Sequence, residues 1–147
     1  MPYLLSDMVY MQGASPYPHL TIDDGTTLVA GGGGGIYVGY TGYGSLTAAG
    51  TAGAGITFTS ASGTPAAGDW EGLTLGFYCE PASTSLSNVT VEYGGANGMG
   101  NVFFYYCDGT LTDSTIQHSS EWGIYRQSCT PTLSGITYAS NAAGDLF

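Results

Sequence analysis

Short stretches of alternating apolar and polar residues recur along the whole chain. The unit that returns is an apolar or small residue, a threonine and a second apolar residue: Leu20-Thr21-Ile22, Ile56-Thr57-Phe58, Val89-Thr90-Val91, Ser114-Thr115-Ile116 and Ile136-Thr137-Tyr138. A period of two over a few residues predicts half-buried strands with one face inward and one outward. The five threonines are 36, 33, 25 and 22 residues apart. A leucine stands four residues before the last three of them (Leu86, Leu111 and Leu133), and Leu46 plays that part before Thr57. Each unit is followed by an apolar pair, Ile36 with Val38, Leu73 with Leu75 and Val102 with Phe104, then Ile124 with Arg126 and finally Leu146.

Three short strands per copy, with copies converging on 22 residues, predict a parallel β-solenoid in which each copy is one coil and equivalent positions stack about 4.8 Å apart. The longer early copies are accounted for by turn and loop composition, "AGGGGG", "TGYGS", "GTAGAG" and "SGTPAAGD". The expected architecture is a single all-β domain over 1-147, with about five coils over 20-147 and residues 1-19 as an N-terminal covering segment.

The strings "LTIDDGTTL", "GSLTAAGTAGAGITFTSASGTPAAGDWEGLTL", "VEYGG" and "CTPTLSGIT" resemble the right-handed parallel β-helix repeat proteins of bacterial cell surfaces, within the pectate-lyase-like solenoid superfamily. The resemblance implies a right-handed β-helix and an extracellular or cell-surface location. It leaves function open, since such proteins range from polysaccharide lyases to inert stalks and fibres.

Composition agrees with short strands and tight turns: 25 Gly and 12 Tyr among 147 residues, with 8% charged. Arg126 is the single basic Lys or Arg against 11 carboxylates, for a net charge of -10. No basic patch exists to neutralise phosphates, so neither nucleic acid nor an anionic membrane surface is an expected partner. No apolar run is long enough to span a bilayer. The start "MPYLLSDMVYMQG" lacks the basic and continuous apolar regions of a secretory leader.

Three columns could carry function. Thr21, Thr57, Thr90, Thr115 and Thr137 form an expected outward rank. An ice-binding surface is one reading of such a rank, and a half-exposed strand position that suits a β-branched residue is the other. In the third strand, Tyr37, Thr74, Phe103 and Tyr125 are expected outward, with Trp70 and Trp122 just before it and Glu121 beside Trp122. Flat rings stack on sugar faces while carboxylates accept hydroxyl hydrogen bonds, so Tyr37, Trp70, Phe103, Trp122, Tyr125 and Glu121 make a candidate face for polysaccharide or protein. Cys79, Cys107 and Cys129 lie in the matching turns "CEP", "CDG" and "CTP" and are expected to stack at one corner. One bridge with a spare thiol is feasible there, and a reduced stack is the expectation that the resemblance favours.

Catalysis finds less support. The resemblance implies lyases that use Arg or Lys with Asp-bound Ca²⁺, or hydrolases with grouped Asp. Here Arg126, Glu121 and His118 are near in sequence but form no carboxylate pair. His118 is expected at a turn, and Asp23-Asp24-Gly25 reads as a turn rather than a calcium loop. No catalytic residue, metal or cofactor is expected, although a polysaccharide-active enzyme stays as the rival reading. The open ends of a solenoid predict self-association, end to end, or continuation into neighbouring coils of a longer protein.

Overall fold

A computed structural model describes every residue from Met1 to Phe147. Its regular structure is strand, apart from one 3-10 turn at Pro81–Ser83. The first sheet stacks β1 (Tyr3–Leu5), β4 (Thr27–Ala30), β7 (Ile56–Ser60), β10 (Val89–Glu92), β13 (Thr115–Gln117) and β16 (Thr137–Ala139). The second stacks β2 (Met8–Met11), β5 (Gly35–Val38), β8 (Gly72–Leu75), β11 (Gly100–Tyr105), β14 (Trp122–Gln127) and β17 (Gly144–Leu146). The third stacks β3 (His19–Ile22), β6 (Ser45–Ala49), β9 (Ser85–Ser87), β12 (Thr110–Thr112) and β15 (Thr132–Ser134). Every strand pairing in these sheets is parallel and joins a strand to its counterpart one turn away. The chain is therefore an all-β parallel solenoid of about six turns.

Alternation fills the lumen with columns of like residues. Leu28, Phe58, Val91 and Ile116 stack in the first sheet. Ile36, Leu73, Val102 and Ile124 do so in the second, and Ala48, Leu86 and Leu111 in the third. Together with their neighbours they form one core of 22 buried residues. Each such side chain contributes roughly 1.5–3 kcal/mol by leaving water.

The corners need unusual backbone. Asn88, Asp113 and Gly135, which turn the third sheet into the first, have φ of 48°, 49° and 64°. Asn and Asp tolerate this left-handed region better than other residues with a Cβ. Asn88 also donates its Nδ2 to Gly50 O at 3.1 Å. Gly39, with φ of 72°, is required for a second reason: a Cβ there would collide with the backbone of Tyr78 and Cys79 in the next coil. Where the first sheet turns into the second, the buried Asn101 accepts from Gly94 N (2.8 Å) and donates to Val91 O (3.1 Å) and Gln117 O (2.7 Å). It replaces a stretch of backbone pairing that the corner interrupts.

Two expectations change. Residues 1-19 were expected to cover the solenoid, with about five coils beyond them. Instead β1 and β2 are rungs in full register, with Val9 beside Ile36 and Met11 beside Val38. Leu5, Val9 and Met11 face the core, and an apolar cavity of about 310 Å³ remains among Leu5, Val9, Leu20, Ile22, Leu28 and Ile36. Thr21 also stands in a different sheet from its supposed rank. Thr57, Thr90, Thr115 and Thr137 are in register, and Thr27 completes them; Thr21 pairs with Thr47 in the third sheet.

Candidate functional site

The outward rank of the second sheet is Tyr10, Tyr37, Thr74, Phe103 and Tyr125. Its ends merge with rings from the loops that lead to the third sheet. From one end of the solenoid toward the other, ring centroids follow one another at 4.5 Å (Phe147 to Tyr125), 5.4 Å (to Phe103), 5.7 Å (to Tyr105) and 4.8 Å (to Tyr106). The series continues at 5.1 Å to Phe77, 5.0 Å to Tyr78, 5.3 Å to Tyr43 and 4.8 Å to Tyr17. Tyr10, Tyr37 and Tyr40 form a separate triad with centroids 5.0–6.1 Å apart. Edge-to-face and offset geometry makes these contacts mutually stabilising by about 0.5–1.5 kcal/mol per pair. Even so Tyr17, Tyr43, Phe77 and Tyr106 keep 41–50% of their surface exposed. The result is a continuous aromatic ridge that spans the coils from Phe147 to Tyr17 and steps sideways at Phe103, Tyr105 and Tyr106, from the outward rank of the second sheet to the loops beside it.

Polar groups flank the ridge at its Tyr17 end. Tyr17, His19, Ser45, Glu80 and Ser83 line an open cleft of about 410 Å³, and His19 Nδ1 lies 2.7 Å from Ser45 Oγ. Within the triad, burial pushes the Tyr37 phenol up from 10.0, and the neighbouring phenols of Tyr40, Tyr105 and Tyr10 push it the same way.

The six residues expected on this face are divided by the structure. Tyr37, Phe103 and Tyr125 lie in the outward rank, and Trp122 caps its end, 5.1 Å from the Phe147 ring. Glu121 is half-buried at the preceding corner, its N–H donating to Ser119 Oγ at 3.2 Å. Trp70 is not on the face. It is fully buried, and its Nε1–H donates to Glu92 O at 2.8 Å. The cause is the corner: Trp70 precedes β8, Gly72 with φ of 101° breaks the alternation between them, and Gly94 of the next coil, where a Cβ would press on the indole, leaves the ring its space. Neighbouring Asp69 stays at the corner, where the Ser60 hydroxyl and the Ala66 N–H hold its carboxyl below the ordinary value of 3.8.

Hydroxyls occupy two faces. On the first sheet, the threonine rank runs beside a mixed one in which Thr59 Oγ1 and Gln117 Nε2 donate to Glu92 at 2.9 and 2.6 Å. On the third sheet, Thr21, Thr47, Ser85, Thr110 and Thr132 form one outward rank, and Ala49, Ser87, Thr112 and Ser134 the next. Sequence reading missed this second face because only Thr21 and Thr47 stand between two apolar residues, and the later hydroxyls flank the leucines Leu86, Leu111 and Leu133 in place of an anchor of their own.

The cysteines do meet at one corner, between the second and third sheets. A disulfide joins Cys79 to Cys107 with Cα atoms 5.7 Å apart, leaving Cys129 as a half-buried free thiol. The expected reduced stack is thus replaced by one bridge. Loop 76–84 brings Cys79 close enough, within the separation that a disulfide tolerates.

His118, Glu121 and Arg126 are not joined by any hydrogen bond or ion pair. His118, with φ of 54°, stacks on Tyr93 at 5.0 Å, and Arg126 donates Nε to Phe147 O at 3.3 Å. No group of three or more His, Cys, Asp or Glu side chains is arranged to hold a metal ion. No helix is long and apolar enough to cross a membrane. No protein-family model matches the chain, and no curated protein or solved structure is detectably similar to it.

Proposed function

We propose that this chain is a non-enzymatic interaction module of an extracellular, bacterial cell-surface β-helix protein of the pectate-lyase-like solenoid superfamily, and that its aromatic ridge binds neutral glycan chains lengthwise. The observation that carries the reading is the unbroken series of rings from Phe147 to Tyr17. A linear polysaccharide presents the apolar faces of successive sugar rings, and a stepped series of partly exposed aromatic side chains spanning the coils is complementary to that surface. The cleft of Tyr17, His19, Ser45, Glu80 and Ser83 adds hydrogen-bonding groups at one end. Charge narrows the class. With a net charge of -10 and a single Arg, a polyuronate would be repelled, whereas a neutral glycan would not. The outer edges of the terminal rungs can accept a further coil, whether from the same polypeptide or a second copy, which fits a repeating surface structure.

The test is electrophoretic mobility in gels cast with neutral polysaccharides, glucans, xylans and mannans, against gels cast with pectate or alginate. Retardation by at least one neutral polymer and by neither anionic one is expected. Indifference to all neutral polymers, or retardation confined to polyuronates, would overturn the reading. Release of reducing ends or unsaturated products during the same incubations would replace it with a polysaccharide-active enzyme.

The paired hydroxyl ranks of the third sheet favour one second reading, an ice-binding surface. The ranks repeat about 4.8 Å along the axis and about 6.7 Å across it. Seven of the eight hydroxyls make no hydrogen bond to protein, Thr47 to Ser83 O at 3.5 Å being the exception. Thermal hysteresis abolished by Thr110→Tyr, with glycan retardation unchanged, would establish this reading; no hysteresis in the wild-type protein would dismiss it.

A further inference from the structure

We propose that the three-cysteine corner is a thiol–disulfide exchange site in which Cys129 attacks Cys107, moves the bridge one coil along and frees Cys79. The geometry begins with register. Tyr105 pairs with Gln127, Tyr106 N donates to Gln127 O at 3.0 Å, and Thr130 N donates to the Asp108 carboxylate at 2.5 Å. Cys107 and Cys129 lie between these contacts, so they are direct neighbours on adjacent rungs. Neighbouring rungs are about 4.8 Å apart, a Cα separation that a disulfide accommodates. Cys79 is the member out of step: Leu75 pairs with Phe104, which puts Tyr78, not Cys79, level with Cys107. The bridge that exists therefore joins the offset pair, and the thiol that remains belongs to the aligned one.

Both sulfurs that change state have a polar neighbour. Cys129 is half-buried, not sealed in the core, and its S–H donates to Phe104 O at 3.4 Å. Thr84 Oγ1 lies 3.6 Å from Cys79 Sγ and accepts the N–H of Leu46 at 3.4 Å. With its oxygen engaged by that N–H, the Thr84 hydroxyl proton can point at Cys79 and stabilise the sulfur as it leaves. The step is redox-neutral. Cys129 gives its proton to water, its thiolate forms a bond to Cys107 Sγ, the Cys79–Cys107 bond breaks with its electron pair on Cys79, and Cys79 takes a proton from water. Attack at Cys107 is the route because Cys79 lies two coils away from Cys129.

The consequence falls on the loop 76–84, which joins β8 to β9 and carries Phe77 and Tyr78 of the ridge together with Glu80. With the bridge on Cys79 this loop is tied covalently to the next coil; with the bridge on Cys129 it is held by its hydrogen bonds and by the ring contacts of Phe77 with Tyr106 and of Tyr78 with Tyr43.

The test is alkylation of the native protein with iodoacetamide over a time course, followed by non-reducing peptide mapping. Label on Cys129 at early times, then on Cys79 together with a Cys107–Cys129 peptide, is expected, and Cys129→Ser should lose the Cys79 label. A Cys79→Ser variant oxidised with glutathione disulfide should form the Cys107–Cys129 bridge. Label confined to Cys129 at all times in the wild-type protein, or two free thiols persisting in oxidised Cys79→Ser, would overturn the proposal.

Discussion

Replacing Trp70 by alanine tests the inward placement of the one aromatic residue of the expected binding face that the structure buries. The indole is fully buried, packs against Gly94 of the next coil, and donates Nε1–H to Glu92 O at 2.8 Å. Removing a buried Trp costs about 3–5 kcal/mol through lost transfer energy and the cavity left behind. The Glu92 carbonyl also loses its partner, at about 1 kcal/mol. The total of about 4–6 kcal/mol corresponds to a fall in Tm of roughly 8–24 °C for a chain of this size. Phe77→Ala is the comparison, because Phe77 is 50% exposed and loses chiefly its ring contacts with Tyr78 and Tyr106, so its truncation should cost about 1–3 kcal/mol, less than that of Trp70. Calorimetry and guanidinium unfolding of both variants provide the comparison. In a Trp122→Phe background, the remaining fluorescence from Trp70 should also resist quenching by acrylamide. A Trp70→Ala cost below about 1.5 kcal/mol, or quenching as fast as for free indole, would refute the inward placement of Trp70.

Two further outcomes follow from the corners. Asn101→Ala leaves Gly94 N–H, Val91 O and Gln117 O without their side-chain partner. It should destabilise by about 3 kcal/mol at about 1 kcal/mol per group, and hydrogen exchange at Gly94 should accelerate. Asp69 has its carboxyl held below 3.8 by Ser60 and Ala66, so the folded state binds its proton less readily than the unfolded chain. Its contribution is therefore complete above that value and is lost as pH falls through the lower folded-state pKa. Asp69→Asn should remove that part of the acid dependence of the denaturation midpoint and leave the neutral-pH dependence unchanged. An identical acid limb in the variant would show that Asp69 makes no such contribution.

Much of the coil was legible because parallel stacking repeats one local pattern at every turn. The rank of Tyr37, Thr74, Phe103 and Tyr125 has the register that alternation implies, as does the inward column of Leu86, Leu111 and Leu133. Where the pattern failed, two environments shared one code. Leu20-Thr21-Ile22 and Thr27-Leu28 are equally good strand signals, and only pairing distinguishes the third sheet from the first. Trp70 was misplaced because flanking Asp69 and Glu71 suggest exposure, whereas the glycine-rich corner that admits the indole is formed by residues more than twenty positions later. The ridge itself was only partly visible. Phe103 and Tyr125 follow strand alternation, but Tyr17, Tyr43, Phe77 and Tyr106 come from loops of unequal length that no periodicity aligns. The disulfide had no stronger signal, since Cys79 is out of step with the other two cysteines and its loop alone decides what it reaches.

Binding by the ridge is tested most directly by the triple variant Tyr43→Ala, Phe77→Ala and Tyr106→Ala, compared with wild type for retention on the neutral polysaccharide that retards the wild-type chain most. These three rings are 41–50% exposed, so the variant should keep the circular dichroism of the solenoid. At about 1–2 kcal/mol for each exposed ring lost, affinity should fall by more than a hundredfold. Retention equal to wild type by the folded triple variant would contradict the account.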